Sequence, residues 1–500
     1  MHWDEIVIFA ALGLLVTVLG FVAANWHRAD LDLIEEWGLA GRRFGSIVTW
    51  FLLGGDLYTA YTFVAVPALV FGSGALGLFA LPYTIIVYPL VYVVMPRLWQ
   101  VARNRGYVTA SDYVKDRFDS RFLALLIAIT GIVATMPYIA LQILGIAVVI
   151  QVLGVPIEVA LVVAFLVLAL FTYVSGLRAP ALIALVKDTM IWITVIAAII
   201  VIPAKLGGFP AIFAKVPAAK LSLPPSLFAG YSTLALGSAL ALFLYPHAIT
   251  GTFASKSQHV IKRNSAFLPA YSFLLGLIAL FGYMAIAAGI KPLAPYGANS
   301  AVPQLIQFAF PSWFAGFALA SIAIGALVPA SVMSIAAANL FCRNIWTEYI
   351  RPAASPREEA QVSKIVSLVV KLGAVGFILI PNLTQYAITL QLAGGVWILQ
   401  TLPAVFLALY VRWLGRWAVG AGWLVGIASG TYWLVAGNFA SSLYTYPIGG
   451  HAGTKLYIGL VAFLLNICVV VVWSAVARLV GRTQEDRIGE ADYEEEPSLA

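Results

Sequence analysis

The sequence predicts an all-α polytopic membrane protein with thirteen transmembrane helices, ten of which form two five-helix repeats of inverted orientation. Three observations carry that prediction. Of the 500 residues, 62% are hydrophobic and 10% are charged, and the mean hydropathy is +0.95, so charge falls far below the roughly one quarter usual in a soluble domain. Long apolar runs recur along the whole chain, with the charges clustered between them. Two of these runs, five apart, are interrupted by helix-breaking residues at corresponding places, which points to an inverted-repeat transporter with its site at the bilayer midplane. A water-soluble fold is excluded. Cys342 and Cys468 both lie in apolar stretches, which argues against a disulfide framework and a cysteine metal site.

A window of about 20 residues picks out apolar segments near 6–25, 46–72, 75–96, 122–153, 156–175, 179–203, 233–253, 266–290, 311–341, 362–380, 385–410, 417–437 and 456–477, numbered here as spans 0 to 12. Span 0 is a retained helix rather than a cleavable signal. Asp4 and Glu5 precede it where a signal would be basic, and the charged stretch His27 to Arg43 follows it. Proline-rich loops at 204–230 and 291–311 have room for short helices. The net charge of +7 and pI near 9.2 would suit nucleic acid or anionic lipid, but the basic residues are spread over many loops. In a membrane protein they first set orientation. Assigning alternate loops to opposite sides leaves only Lys205, Lys215, Lys220, Lys291 and Lys455 on one face, with Lys187 and Lys371 inside spans 5 and 9. All other Lys and Arg fall on the opposite face, so the N-terminus is expected outside and the C-terminus inside. Residues 1–482 thus make one transmembrane domain, and 483–500 a short acidic cytoplasmic tail that should be disordered.

Buried carboxylates locate the chemistry, because each is costly in a bilayer unless paired or hydrated. The clear cases are Asp56 in span 1 and Asp188 in span 5. Asp56 follows Gly54 and Gly55 in WFLLGGDLYTAY, where paired glycines let the helix open and its carbonyls turn to a cavity. In span 6, ALFLYPHAITGTF sets Pro246 in mid-helix beside His247, and proline frees a carbonyl. Singly, each feature has a structural reading: a glycine packing face with a satisfied aspartate, and a proline kink with a packing histidine. Together they point to broken helices near Gly54–Leu57 and Tyr245–His247. Span 8, ALVPASVMSIAAANLFCRNIW, carries Ser331 and Ser334 on a small-residue helix. Such hydroxyls either ligate an ion or bond their own helix. Gly422, Gly426 and Gly430 of span 11 read as a packing face. Lys187 and Lys371, toward the cytoplasmic ends of their spans, read as snorkelling.

With these motifs in order, together with SDYVKDRFDSR, YIALQILG, YPHAITGTFASKS, MSIAAANLFCRNI and LPAVFLALYVRWLGRWAVGAG, the chain resembles the sodium:solute symporter family from about Ile6 to Arg482. That family shares the leucine-transporter (LeuT) fold, and the SIAAANLFCRN run looks most like its monocarboxylate permease branch. The resemblance implies cation-coupled symport of small organic acids such as lactate, pyruvate or acetate, in the cell membrane, with no cofactor beyond the coupling ion. It implies a sodium site at the backbone of Gly54 and Leu57, near Asp56, completed by Ser331, Ser334 and Ile335, with Asp188 as the family's acid in span 5. Ile335 departs from the pattern: the family usually has Ser or Thr there, and isoleucine has no oxygen to give. Either a water or the Ser331 hydroxyl fills that place, or a proton on Asp56, Asp188 or His247 replaces sodium; the balance tips toward the proton.

A carboxylate substrate at the midplane needs donors. Those expected are the half-helix amides together with Tyr58, Thr59, Tyr61, Tyr138, Gln142, Tyr245 and His247. Other classes fare worse. The chain lacks HExxH, GxSxG and P-loop patterns, so an enzyme is not expected. A sodium-coupled symporter of another small solute such as an amino acid, or a non-transporting sensor of the same fold, shares every motif above. The expected partners are a small organic anion and the lipid bilayer, with neither nucleic acid nor an obligate protein partner.

Overall fold

The computed structural model describes residues 3–26, 30–55, 58–379, 387–448, 453–481 and 486–494. Asp56 and Leu57 lie outside the described residues. The chain starts with α1 (Trp3–Val22), whose Asp4 and Glu5 sit in the first turn, where the helix dipole favours negative charge. After the short α2 (Ile34–Leu39), α3 (Ser46–Gly55) ends on the paired glycines. Helical structure resumes as a π-type turn over Tyr61–Ala65 that feeds α4 (Val66–Ser73). The first half continues with α5 (Ala80–Arg105), α6 (Ala110–Phe118), α7 (Arg121–Val152), α8 (Ile157–Ser175) and α9 (Arg178–Leu206). The helix α6 is the SDYVKDRF run. Thr109 and Asp112 start it with reciprocal side-chain bonds to each other's backbone N–H, which satisfy two of its orphan amides.

The loop at 204–230 carries α10 (Phe209–Lys215) and α11 (Ala218–Leu221). The second half opens with α12 (Phe228–Leu242) and α13 (Pro246–Phe253), separated by a non-helical turn in which Tyr245 is extended. Pro246 is the first residue of α13, where its missing N–H costs nothing. The break therefore falls at Phe243–Tyr245, two residues before the expected position. Next come α14 (Gln258–Phe267), α15 (Pro269–Ala279) and α16 (Phe281–Ala287). This span begins eight residues before the apolar run, because the Ser257 hydroxyl caps a polar first turn by accepting from the Val260 N–H. The remaining helices are α17 (Ala301–Ala309), α18 (Ser312–Phe341), α19 (Pro356–Leu379), α20 (Ala387–Ile398), α21 (Leu402–Val405), α22 (Arg416–Ala436) and α23 (Ile458–Leu479).

One departure from an all-helical chain is a hairpin, β1 (Leu443–Tyr446) paired antiparallel with β2 (Thr454–Tyr457), Leu443 opposite Tyr457. Tyrosine and threonine make up five of its eight strand residues, which suits a pleated surface. Among the described residues, ten helices are long and apolar enough to cross a membrane. That is three fewer than thirteen: spans 1 and 2 run together as Tyr61–Arg105, with Ser46–Gly55 too short alone, and the helices of spans 4 and 9, α8 and α19, are not among the ten. The helix α18 is the centre, 94% of its most apolar window buried against 17% for α1, which therefore lies at the periphery. The glycine face of α22 meets Asn466 and Val470 of α23, Gln400, and Val396 of α20, as a packing face should.

The acidic tail, expected to be disordered, is ordered over residues 486–494. Asp492 accepts both from Arg105 Nε (2.8 Å) and from its Nη2 (2.7 Å), Asp486 faces the buried Arg117 at 3.3 Å, and Glu490 pairs with Arg412 at 2.6 Å. The Arg97 guanidinium lies 4.3 Å from the centre of the Tyr493 ring. Arginines from α5, α6 and the loop before α22 thus meet the tail's carboxylates, and Tyr493 adds a cation–π contact.

Candidate functional site

The site lies where the broken ends of span 1 and span 6 come together, and it has two parts. The first is a cation cluster. Lys187 and Asp188 of α9 have fully buried side chains, and Lys187 Nζ lies 2.7 Å from Asp188 Oδ1. The same ammonium donates to the carbonyls of Gly55 (2.7 Å) and Tyr58 (3.2 Å). Those carbonyls lack helical partners because α3 stops at Gly55. Tyr271 of α15 donates its hydroxyl to the other carboxylate oxygen, Asp188 Oδ2, at 2.9 Å, and its own carbonyl accepts from the Tyr58 hydroxyl at 3.3 Å. The ring of Tyr271 covers the break, 4.5 Å from Trp50 and 4.6 Å from Tyr58 between centroids. This closeness explains the glycines. A Cβ on Gly54 would sit 2.3 Å from the Tyr271 ring, and one on Gly55 would sit 2.9 Å from Lys187 Nζ. The snorkelling reading of Lys187 and Lys371 is therefore corrected: both are wholly buried. Lys187 lies nine residues inside α9, roughly 14 Å along the helix, and its ammonium is held by oxygens at the break. Lys371 Nζ makes no hydrogen bond among the described residues.

The expected ion ligands assemble only in part. Among the described residues the carbonyls that converge are those of Gly55 and Tyr58, each one residue beyond the expected Gly54 and Leu57, of which Leu57 lies outside the described residues. On α18, the Ser331 hydroxyl donates to the Leu327 carbonyl (3.3 Å) and accepts from Thr172 (3.4 Å), while Ser334 donates to the Ser331 carbonyl (2.8 Å). The bonds to Leu327 and Ser331 are the helix-internal ones open to any membrane serine, and Thr172 belongs to α8. Ile335 is packed in an apolar cluster with Leu52, Leu177 and Ala181. Opposite the Tyr58 carbonyl α18 presents Gly325, whose Cβ position is 3.7 Å from that oxygen, so it brings no side-chain ligand.

The second part is an aromatic chamber. Tyr138 of α7, Tyr245 and His247 of the span 6 break form a triangle of rings 5.4–5.7 Å apart. Tyr61, Tyr138 and Tyr245 line a cavity of about 30 Å³ together with Tyr83, Gln391 and Tyr457. The Gln391 side-chain oxygen there is buried with no hydrogen-bond partner among the described residues. Room for about two waters is too little for an organic acid, so the chamber is closed in this conformation. Thr59 and Gln142, expected on the substrate, are otherwise engaged. Gln142 Oε1 accepts from the Ala60 N–H (2.9 Å) and Thr59 Oγ1 from the Tyr61 N–H (3.0 Å). They cap the second half of span 1, so its first amides are not open to a substrate carboxylate. Sequence reasoning missed Tyr83, Gln391 and Tyr457. Gln391 alone had a legible signal, a polar residue one turn before the paired Gly394 and Gly395.

Comparison with known proteins gives concordant results. Residues 37–426 match the sodium:solute symporter family. A monocarboxylate transport permease protein of Rhizobium johnstonii is 53% identical over 95% of this chain and 97% of its own length. An uncharacterized symporter of Bacillus subtilis, YodF, is 35% identical over 85% of this chain and 86% of its own. Among solved structures, a Na+-coupled sialic acid symporter in a substrate-bound outward-open state superposes with a TM-score of 0.75 at 17% identity, covering 95% of this chain and 98% of its own. That likeness shows the fold.

Proposed function

The chain belongs to the sodium:solute symporter family, whose members are multi-pass membrane transporters and not enzymes, and from that premise we propose that it carries small monocarboxylates of the lactate, pyruvate and acetate type with a coupling cation, by alternating access. The observation that carries this reading is the closed chamber between the two breaks, walled by phenols and Gln391, with His247 packed against two of those rings. Neutral hydroxyls give charge-assisted bonds to one carboxylate, and the aromatic faces leave little to satisfy the many hydroxyls of a sugar. The permease relative at 53% identity supports the same cargo. The coupling ion is read as a proton rather than sodium, because Ile335 takes one oxygen out of the expected shell; Asp56, Asp188 and His247 are the candidate carriers. Thirteen spans in one domain over residues 1–482, with the N-terminus outside and the C-terminus inside, follow from the loop charges.

Counterflow tests the cargo. Proteoliposomes loaded with unlabelled lactate should accumulate labelled lactate and pyruvate. Saturable exchange of a sugar or an amino acid that lactate and acetate fail to inhibit would refute the assignment. Binding of lactate without any exchange would instead make the protein a sensor.

A further inference from the structure

We propose that the cation bridging the broken first span to the fifth is part of the chain: the Lys187 ammonium occupies the place of a coordinated sodium ion, and this protein binds no sodium there. The inference rests on the symporter reading above, since that family relationship is what makes a sodium ion the expected occupant, but it does not depend on the substrate.

The donor set decides between the two cations. A hard cation of sodium's size takes about five or six oxygens around it. An ammonium has only three N–H groups to satisfy, and Lys187 donates to two oxygens, the Gly55 carbonyl at 2.7 Å and the Tyr58 carbonyl at 3.2 Å, while its charge is matched by Asp188 Oδ1 at 2.7 Å. Gly55 and Tyr58 stand three residues apart in the chain, on either side of the end of α3, and here the lysine holds both carbonyls. Nothing on α18 enlarges the set. Gly325 faces the Tyr58 carbonyl without a side chain, Ile335 belongs to an apolar cluster, and the Ser331 and Ser334 hydroxyls bond Thr172 and their own helix.

Charge leads to the same conclusion. Lys187 and Asp188 form a neutral pair with both side chains fully buried. A sodium ion sharing the two carbonyls would add a positive charge beside the ammonium, with Asp188 already spent on Lys187 and Tyr271. Repulsion in a poorly solvated interior opposes that arrangement. A tethered cation differs from a free one in a way that matters for transport: it cannot dissociate. Separating the inner half of span 1 from α9 must therefore break the Lys187 contacts themselves.

The test uses the purified full-length protein without any carboxylic acid. Its unfolding is followed on heating in sodium chloride and in equimolar choline chloride. The expected result is the same midpoint in both salts for the unsubstituted protein. Lys187→Ala, which frees both carbonyls and Asp188, should gain a midpoint shift specific to sodium. A sodium-specific rise in the unsubstituted protein overturns the proposal, and so does a folded Lys187→Ala protein indifferent to sodium. If Lys187→Ala does not fold, Lys187→Met is read by the same two criteria, and the unsubstituted protein remains decisive by itself. Because no substrate is present, failure here leaves the monocarboxylate reading standing, and failure of counterflow leaves this proposal standing.

Discussion

Removing both members of the Lys187–Asp188 pair should destabilise the protein by less than the sum of the two single removals. The two charges approach to 2.7 Å with both side chains wholly buried. Charge centres roughly 4 Å apart attract by about 4 kcal/mol at an effective dielectric near 20. Breaking a buried pair by deleting one partner costs about 3–5 kcal/mol, because the survivor stays buried and uncompensated. Asp188→Asn leaves the ammonium with two neutral carbonyls. Lys187→Met leaves the carboxylate with only the Tyr271 hydroxyl, and it also orphans the Gly55 and Tyr58 carbonyls. The double variant retains only that last cost, roughly 1–3 kcal/mol for each buried carbonyl left unpaired. A double-mutant cycle should then give a coupling energy of about 3 kcal/mol. Tryptophan fluorescence on thermal unfolding in detergent provides the assay, with Trp50 and Trp192 beside Tyr271 as reporters. Each single variant should lose on the order of 5 °C. Effects that add to within about 0.5 kcal/mol would refute the claim that the two charges stabilise each other.

Other consequences are as direct. Tyr245→Phe removes a hydroxyl from the chamber and should raise the lactate KM in uptake assays by roughly tenfold or more, the value of a hydrogen bond to a charged group. An unchanged KM would take Tyr245 out of the substrate contacts. Gly54→Ala places a methyl 2.3 Å from the Tyr271 ring and should cost about 1–3 kcal/mol as an overpacked site, with transport lost. Gly376, whose Cβ position is open, is the control, and Gly376→Ala should transport normally. The tail predicts a pH effect. The Arg105 hydrogen bonds hold the Asp492 carboxyl below its usual 3.8, so its contribution is present above that value and is lost as pH falls through the lower folded one. Hydrogen exchange over residues 486–494 should accordingly stay slow at neutral pH and accelerate in Asp492→Asn; equal protection in both proteins would count against the salt link. Ile335→Thr alone should leave the protein indifferent to sodium, whereas in a Lys187→Ala background it should strengthen the sodium-specific stabilisation; the same two-salt unfolding measurement reads both.

The sequence showed the breaks because their causes are local. Paired glycines before Asp56 and a proline at 246 are covalent facts that no tertiary contact alters, and even the two-residue offset at span 6 follows from proline's preference for the first helical position. The partners of those breaks are not local. From the ends of its own helix alone, Lys187 reads as a snorkelling side chain. Only the packing of α9 against α3 brings its ammonium to the Gly55 carbonyl. An adjacent Lys-Asp pair in an apolar run was nonetheless a usable sign of an internal ion pair. Gln142 and Thr59, expected on the substrate, cap amides of the chain instead, and the sequence does not show which amide a side chain caps. Tyr83 and Tyr457 reach the chamber from α5 and from the end of the hairpin, elements without any break to mark them. The tail's order likewise depends on arginines gathered from three distant segments.

The measurement closest to the central claim is uptake of labelled lactate into proteoliposomes with the two ion gradients imposed separately and the membrane potential clamped. An inward proton gradient without sodium should drive accumulation above equilibrium. An inward sodium gradient at uniform pH should drive none. Accumulation on the sodium gradient alone would contradict the proton reading.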